Sequence, residues 1–184
     1  MLNTYKANGY ISLLVVLTLF THTIYELVTY SMMFYNPIAT KAFGYVLGAL
    51  VVIHGTLSMI NVYGKADSKK IHYKKLNIKT FLQRASAFLI IVTLPIHIMA
   101  FGILQSSAFG VVYVLTEIAN ALFLVAVYVH VAISFSKALI TIGVLEDEKK
   151  CIIIDRILMV ICTILCTASI VQTIVTHIKM FSAM

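Results

Sequence analysis

The chain has 184 residues, of which 61% are hydrophobic and 11% charged. Soluble domains carry about 25% charged residues and about 45–50% apolar ones, so neither an ordinary soluble domain nor a disordered chain fits this composition. The net charge is +7, and seven of the 14 Lys and Arg lie between Lys65 and Arg84. Such clustering reads as a membrane-orientation signal rather than a nucleic-acid patch. The sequence has no G-x-G-x-x-G, P-loop or G-x-S-x-G. It also lacks C-x-x-C-H, which excludes c-type haem attachment.

About 20 mostly apolar residues cross a bilayer as a helix. Five stretches meet that length. The first, residues 10–30, is too long for the apolar core of a secretory signal and lacks a cleavage site, so it reads as a retained helix. Asn36-Pro37 marks a turn before the second span, residues 42–63. Lys65–Lys79 is the one long polar segment. The third span, residues 81–104, contains Pro95, which is expected to kink it and free a carbonyl. An uncharged link, Gln105–Gly110, leads to the fourth span, residues 111–138. The next connection closes with Glu146-Asp147-Glu148-Lys149-Lys150 before the fifth span, residues 157–176. Cys151, Cys162 and Cys166 read as small apolar filler. Residues 1–184 therefore form a single all-α domain, an integral membrane protein of five transmembrane helices. Positive loops face the cytoplasm. That rule puts Lys65–Lys79 and Lys149-Lys150 inside, with the N-terminus cytoplasmic and the C-terminus outside. The expected location is the inner (cytoplasmic) cell membrane.

Of six histidines, His72 lies in the basic loop and His177 at the outer end of the last span, where both read as solvated or interfacial. His22, His54, His97 and His130 fall one on each of the first four spans. Ionisable residues inside a span are costly and usually functional. One alone is more simply a hydrogen-bonded core residue; four, one per helix, are not. At about 1.5 Å rise per residue, His22 and His97 sit roughly 18 and 24 Å above the inner boundary. On the descending spans, His54 and His130 sit roughly 18 and 28 Å below the outer boundary. The first two thus share the outer half and the second two the inner half. Two imidazoles facing each other from separate helices can hold a haem iron from both sides. Two such pairs give two non-covalent b-type haems stacked across the membrane, with no open iron position, which suits electron transfer. Zinc fits less well, because each pair supplies only two ligands.

Thr18, His22, Glu26 and Thr29 form a polar stripe on the first helix. Ser86, Thr93, His97 and Ala100 share a face of the third, and Ala119, Phe123, Ala126, His130, Ser134 and Lys137 a face of the fourth. Gly44, Gly48 and Gly55 on the second helix suit either a flat macrocycle or close helix packing. Arg84, Lys137 and Lys41 are placed to reach haem propionates by snorkelling, although Lys41 reads better as an interfacial anchor. Glu26 and Glu117 are carboxyls in the outer half, and quinol oxidation needs a proton acceptor of that kind. A protonated Glu bonded to a neighbouring helix is the plainer alternative for each.

Five spans with single histidines on the first four resemble the dihaem cytochrome b membrane-anchor subunit of the succinate:quinone oxidoreductase (succinate dehydrogenase / fumarate reductase) family. The resemblance covers nearly the whole chain through topology and His22, His54, His97 and His130. Gln83-Arg84-Ala85-Ser86-Ala87 is only faintly similar to the family's Arg-x-Ser/Thr-Gly element, with Ala87 in place of Gly. The resemblance implies His22 with His97 on the outer haem and His54 with His130 on the inner haem. It also implies flavoprotein and iron–sulfur subunits docked on the cytoplasmic face near the basic loop, and a quinone, menaquinone or ubiquinone, as redox partner. The anchor itself performs no succinate chemistry. Two rivals remain: a dihaem b-type quinol-oxidising subunit of a different dehydrogenase or reductase, and a small proton-coupled transporter using the histidines and Glu26 as a relay.

Overall fold

The computed structural model describes residues 3–34, 36–63, 74–106 and 110–181. Its elements are five helices: α1 (Thr4–Ser31), α2 (Pro37–Tyr63), α3 (Lys74–Ser106), α4 (Val111–Ile142) and α5 (Glu148–Phe181). All five are long and apolar enough to cross a membrane.

The helices start and stop where local chemistry dictates. Asn3 caps α1, its Oδ1 accepting from Tyr5 N at 3.0 Å. Asn36 caps α2 through Ile38 N and Ala39 N, at 3.1 and 3.2 Å. Pro37 occupies the first helical position, where a missing N–H costs nothing. The Asn-Pro pair is therefore a helix start as well as a turn. Gly143 ends α4 at φ 84°, and Val144 N returns to Leu139 O at 3.0 Å. This left-handed cap closes the helix as glycine does elsewhere. α3 runs unbroken through Pro95.

The helices extend beyond the apolar stretches. α3 begins at Lys74, inside the segment read as a polar loop, and α4 continues to Ile142. Polar ends are compatible with helix once the apolar middle has nucleated it, because propagation is cheap. The rest of Lys65–Lys79, His72 included, lies outside the described residues.

Neighbouring helix ends meet. At one end, Tyr5 Oη donates to Asn61 O at 3.0 Å, and Lys79 Nζ meets Asp155 Oδ2 at 2.9 Å. This basic end holds the starts of α1, α3 and α5. At the opposite end, the Tyr30 ring lies edge-on to His177, with centroids 6.4 Å apart.

The core is built around α4. Tyr128, Val131 and Ala132 pack with Leu158 and Cys162 of α5, and Val16, Leu19 and Phe20 of α1 close over them. Thr23 Oγ1 and Tyr128 Oη are 3.0 Å apart, tying α1 to α4 inside this cluster. The three cysteines are free. None of the described α2 residues is buried. Apolar side chains such as Ile38, Tyr45, Ile98 and Val111 stand 72–80% exposed, as a hydrocarbon-facing belt requires.

Candidate functional site

A gap runs through the bundle. No Cα of α2 lies within 8 Å of α3 or α4 among the described residues, and none of α1 lies within 8 Å of α3. α1 and α2 form one pair and α3 and α4 another, joined where α1 meets α4. Each pair contributes histidines to the space between them.

Towards the basic end, His54 of α2 and His130 of α4 bridge that space, with ring centroids 6.4 Å apart and planes at 72°. Each ring is held from behind by its own helix pair. His54 Nδ1 lies 3.0 Å from Asn8 Oδ1 and 3.1 Å from Ser12 Oγ, both on α1. Ser12 spends its proton on Asn8 O at 2.6 Å, so its oxygen faces the imidazole as an acceptor. Asn8 is itself fixed by donating to Ser58 Oγ at 3.1 Å. His130 Nδ1 lies 3.2 Å from Gln83 O and 3.1 Å from Ser86 Oγ, both on α3. A backbone carbonyl only accepts, so Nδ1 carries the proton.

Towards the other end, His97 Nδ1 donates to Asn120 Oδ1 at 2.7 Å, and its ring stacks on Phe123 with centroids 4.3 Å apart. His22 on α1 is an electrostatic neighbour of His97 across the gap. His22 Nδ1 is buried without a hydrogen bond, and Glu26 Oε1, likewise without one, is 3.8 Å away.

His54, His97 and His130 thus share one tautomer: Nδ1 protonated and anchored, Nε2 with a free lone pair and no hydrogen bond among the described residues. That is the state in which imidazole binds a metal, its far N–H held by an outer partner. An imidazole nitrogen binds a first-row metal at about 2 Å, so two rings on opposite sides of one ion have centres about 6.3 Å apart. The His54–His130 separation fits that span. No group of three or more His, Cys, Asp or Glu able to hold an ion gathers among the described residues. The His54–His130 pair by itself offers two such ligands.

The other anticipated residues separate. Lys137 Nζ donates to Gln83 Oε1 at 2.6 Å, on the same residue whose carbonyl receives His130. Arg84 and Lys41 are exposed. A Cβ added to Gly44, Gly48 or Gly55 meets nothing within 4 Å among the described residues, so these glycines make no close helix contact there. Glu117 is bonded to His177, with Oε1 2.6 Å from Nδ1. His177 is not solvated as its position near the span end suggested: it is 3% exposed, because α5 runs on to Phe181 and carries it alongside the start of α4.

Asn8, Ser12 and Asn120 are functional candidates that the sequence did not single out, and Gln83 stood there only as part of a faint motif. A signal existed for some of them: Asn8 and Ser12 are four apart on α1, and Gln83 and Ser86 three apart on α3, so each couple shares a face. No protein family, curated protein or solved structure matches this chain. What the fold defines is a class, a multi-pass all-α membrane protein with a histidine-lined cleft between two helix pairs.

Proposed function

We propose that the chain is a dihaem cytochrome b that carries electrons through the membrane. The observation that carries this reading is the His54–His130 pair. Its rings have the spacing of two ligands on one metal, and an acceptor behind each fixes the metal-binding tautomer. His54 and His130 would hold the inner haem, and His22 and His97 the outer one. A b haem held by these histidines would supply a one-electron carrier.

The chain's own groups do the rest. Asn8, Ser12, Gln83 and Ser86 orient the inner imidazoles, and Asn120 orients His97. The exposed Arg84 serves as a propionate partner from the basic end, which faces the cytoplasm by its charge. That orientation puts the N-terminus inside and the C-terminus outside. Glu26, half-buried and with its buried Oε1 lacking a hydrogen bond, is the group suited to accept a proton from a quinol near the outer pair. The resemblance to succinate:quinone oxidoreductase anchors supplies the partners: iron–sulfur and flavoprotein subunits on the cytoplasmic face, and a quinone in the membrane.

The test is purification in mild detergent with haem quantification. The expected protein shows a reduced low-spin b-type spectrum with two haems. His54→Ala and His22→Ala should each retain one haem. A colourless protein, or unchanged haem content in both variants, refutes the assignment, and a colourless protein that moves protons supports the transporter instead. Mass identification of co-purifying chains tests the soluble partners.

A further inference from the structure

One residue touches both the inner histidine pair and a cation. Gln83 receives His130 Nδ1–H on its main-chain carbonyl and the Lys137 ammonium on its side-chain Oε1, at 3.2 and 2.6 Å. Ser86 Oγ donates to the same carbonyl at 3.1 Å, which holds it in place. Lys137 and His130 are seven residues apart on α4, two turns along one face and about 10 Å on the axis. The charged groups facing Lys137 are Lys79 and Arg84 of α3 and Asp155 of α5. Asp155 is bonded to Lys79 at 2.9 Å. The half-buried Lys137 charge is therefore held by a neutral amide.

We infer that Gln83 is a positioning residue that holds the Lys137 cation at a fixed place beside the His130 site and so raises the electron affinity of a metal centre bound there. The inference rests on the haem reading above. A fixed positive charge favours the reduced, less positive centre over the oxidised one. Among the described residues no cation is bonded behind His97, whose partners are an amide and a phenyl ring. The lever acts on the inner pair alone.

The experiment is a spectroelectrochemical redox titration of the purified native protein, Lys137→Met, Gln83→Leu and the double variant, with haem content measured in each. Gln83→Leu keeps the main-chain carbonyl, so all four should hold two haems with low-spin spectra. Lys137→Met should move the inner reduction equilibrium about tenfold towards the oxidised form, about 59 mV for one electron, and leave the outer component in place. Gln83→Leu should shift it the same way by releasing the ammonium towards the interface. The double variant should match Lys137→Met, because the two side chains act as one unit. An unmoved inner component, equal shifts in both components, or additive shifts overturn the lever while leaving the haem reading intact. Loss of the inner haem from Lys137→Met also overturns it, since Lys137 then grips the cofactor directly. A native protein without haem refutes the haem reading itself and the lever with it.

Discussion

A histidine in a membrane helix says little until the atom behind it is known. Here the deciding contacts are acceptors on neighbouring helices. Asn120 Oδ1 at 2.7 Å makes His97 a donor through Nδ1 and leaves Nε2 for a metal. Replacing such an outer partner costs about 10–100-fold in metal affinity. Asn120→Leu should therefore lower haem affinity of the outer pair by about that factor, measured by titrating haem into stripped protein, with the inner component unaffected. The Glu117–His177 contact has a structural consequence. Both groups are well buried, at 12% and 3% side-chain exposure. Removing one partner of a buried pair costs about 3–5 kcal/mol, while replacing both with apolar residues often costs little. Glu117→Leu should lower thermal stability in detergent, and adding His177→Leu should recover most of the loss. The four ligand candidates were legible in the sequence because they interrupt apolar runs. Most of their anchors were not, because a lone Asn, Gln or Ser in a helix costs far less than an ionisable group and gives no sign of the ring it meets on another helix.

Among the elements, α4 carries the most buried surface and touches α1, α3 and α5. Its C-terminal turns take α1 at very close range. A Cβ on Gly9 would lie 2.7 Å from Ile142 Cγ2 and 3.4 Å from Ala138 O. Overpacking of this kind costs about 1–3 kcal/mol. Gly9→Leu should lower the thermal midpoint, whereas Gly48→Leu, with open space around it, should change it little; a melting curve of each checks this. Helix number and order followed from hydropathy, while the ends did not. α3 starts at Lys74 and α5 ends at Phe181, further than the apolar windows reach. Hydropathy reports where a helix meets lipid, and hydrogen bonds continue beyond that wherever caps and side chains satisfy them. The added length of α5 brings His177 to Glu117.

For the whole molecule, the governing feature is the cleft between α1/α2 and α3/α4. Among the described residues α2 has its backbone close to α1 alone, and no described α2 residue is buried. Ligands that bind only the folded state stabilise it, by about 4 kcal/mol at a thousandfold excess over Kd. Haem held between the helix pairs should act in this way. Stripping it should lower the thermal midpoint of the native protein and have a smaller effect on a variant already lacking His54 and His130. Equal melting of loaded and stripped native protein would separate the cofactor from the cleft. Loop charges supply the orientation argument, since Lys and Arg distribution acts during insertion.

Composition and apolar run length alone determined that this chain lies in a membrane, that it makes five helices, and that His22, His54, His97 and His130 stand inside the first four. These follow because the bilayer fixes helix length and penalises every ionisable side chain within it. Tertiary structure decided which helices touch, which ring nitrogen carries the proton, and that Glu117 is tied to His177 while Glu26 is not. Those outcomes depend on atoms from different helices meeting within about 3 Å, a distance set by packing angles and rotamers that no residue spacing along one chain records.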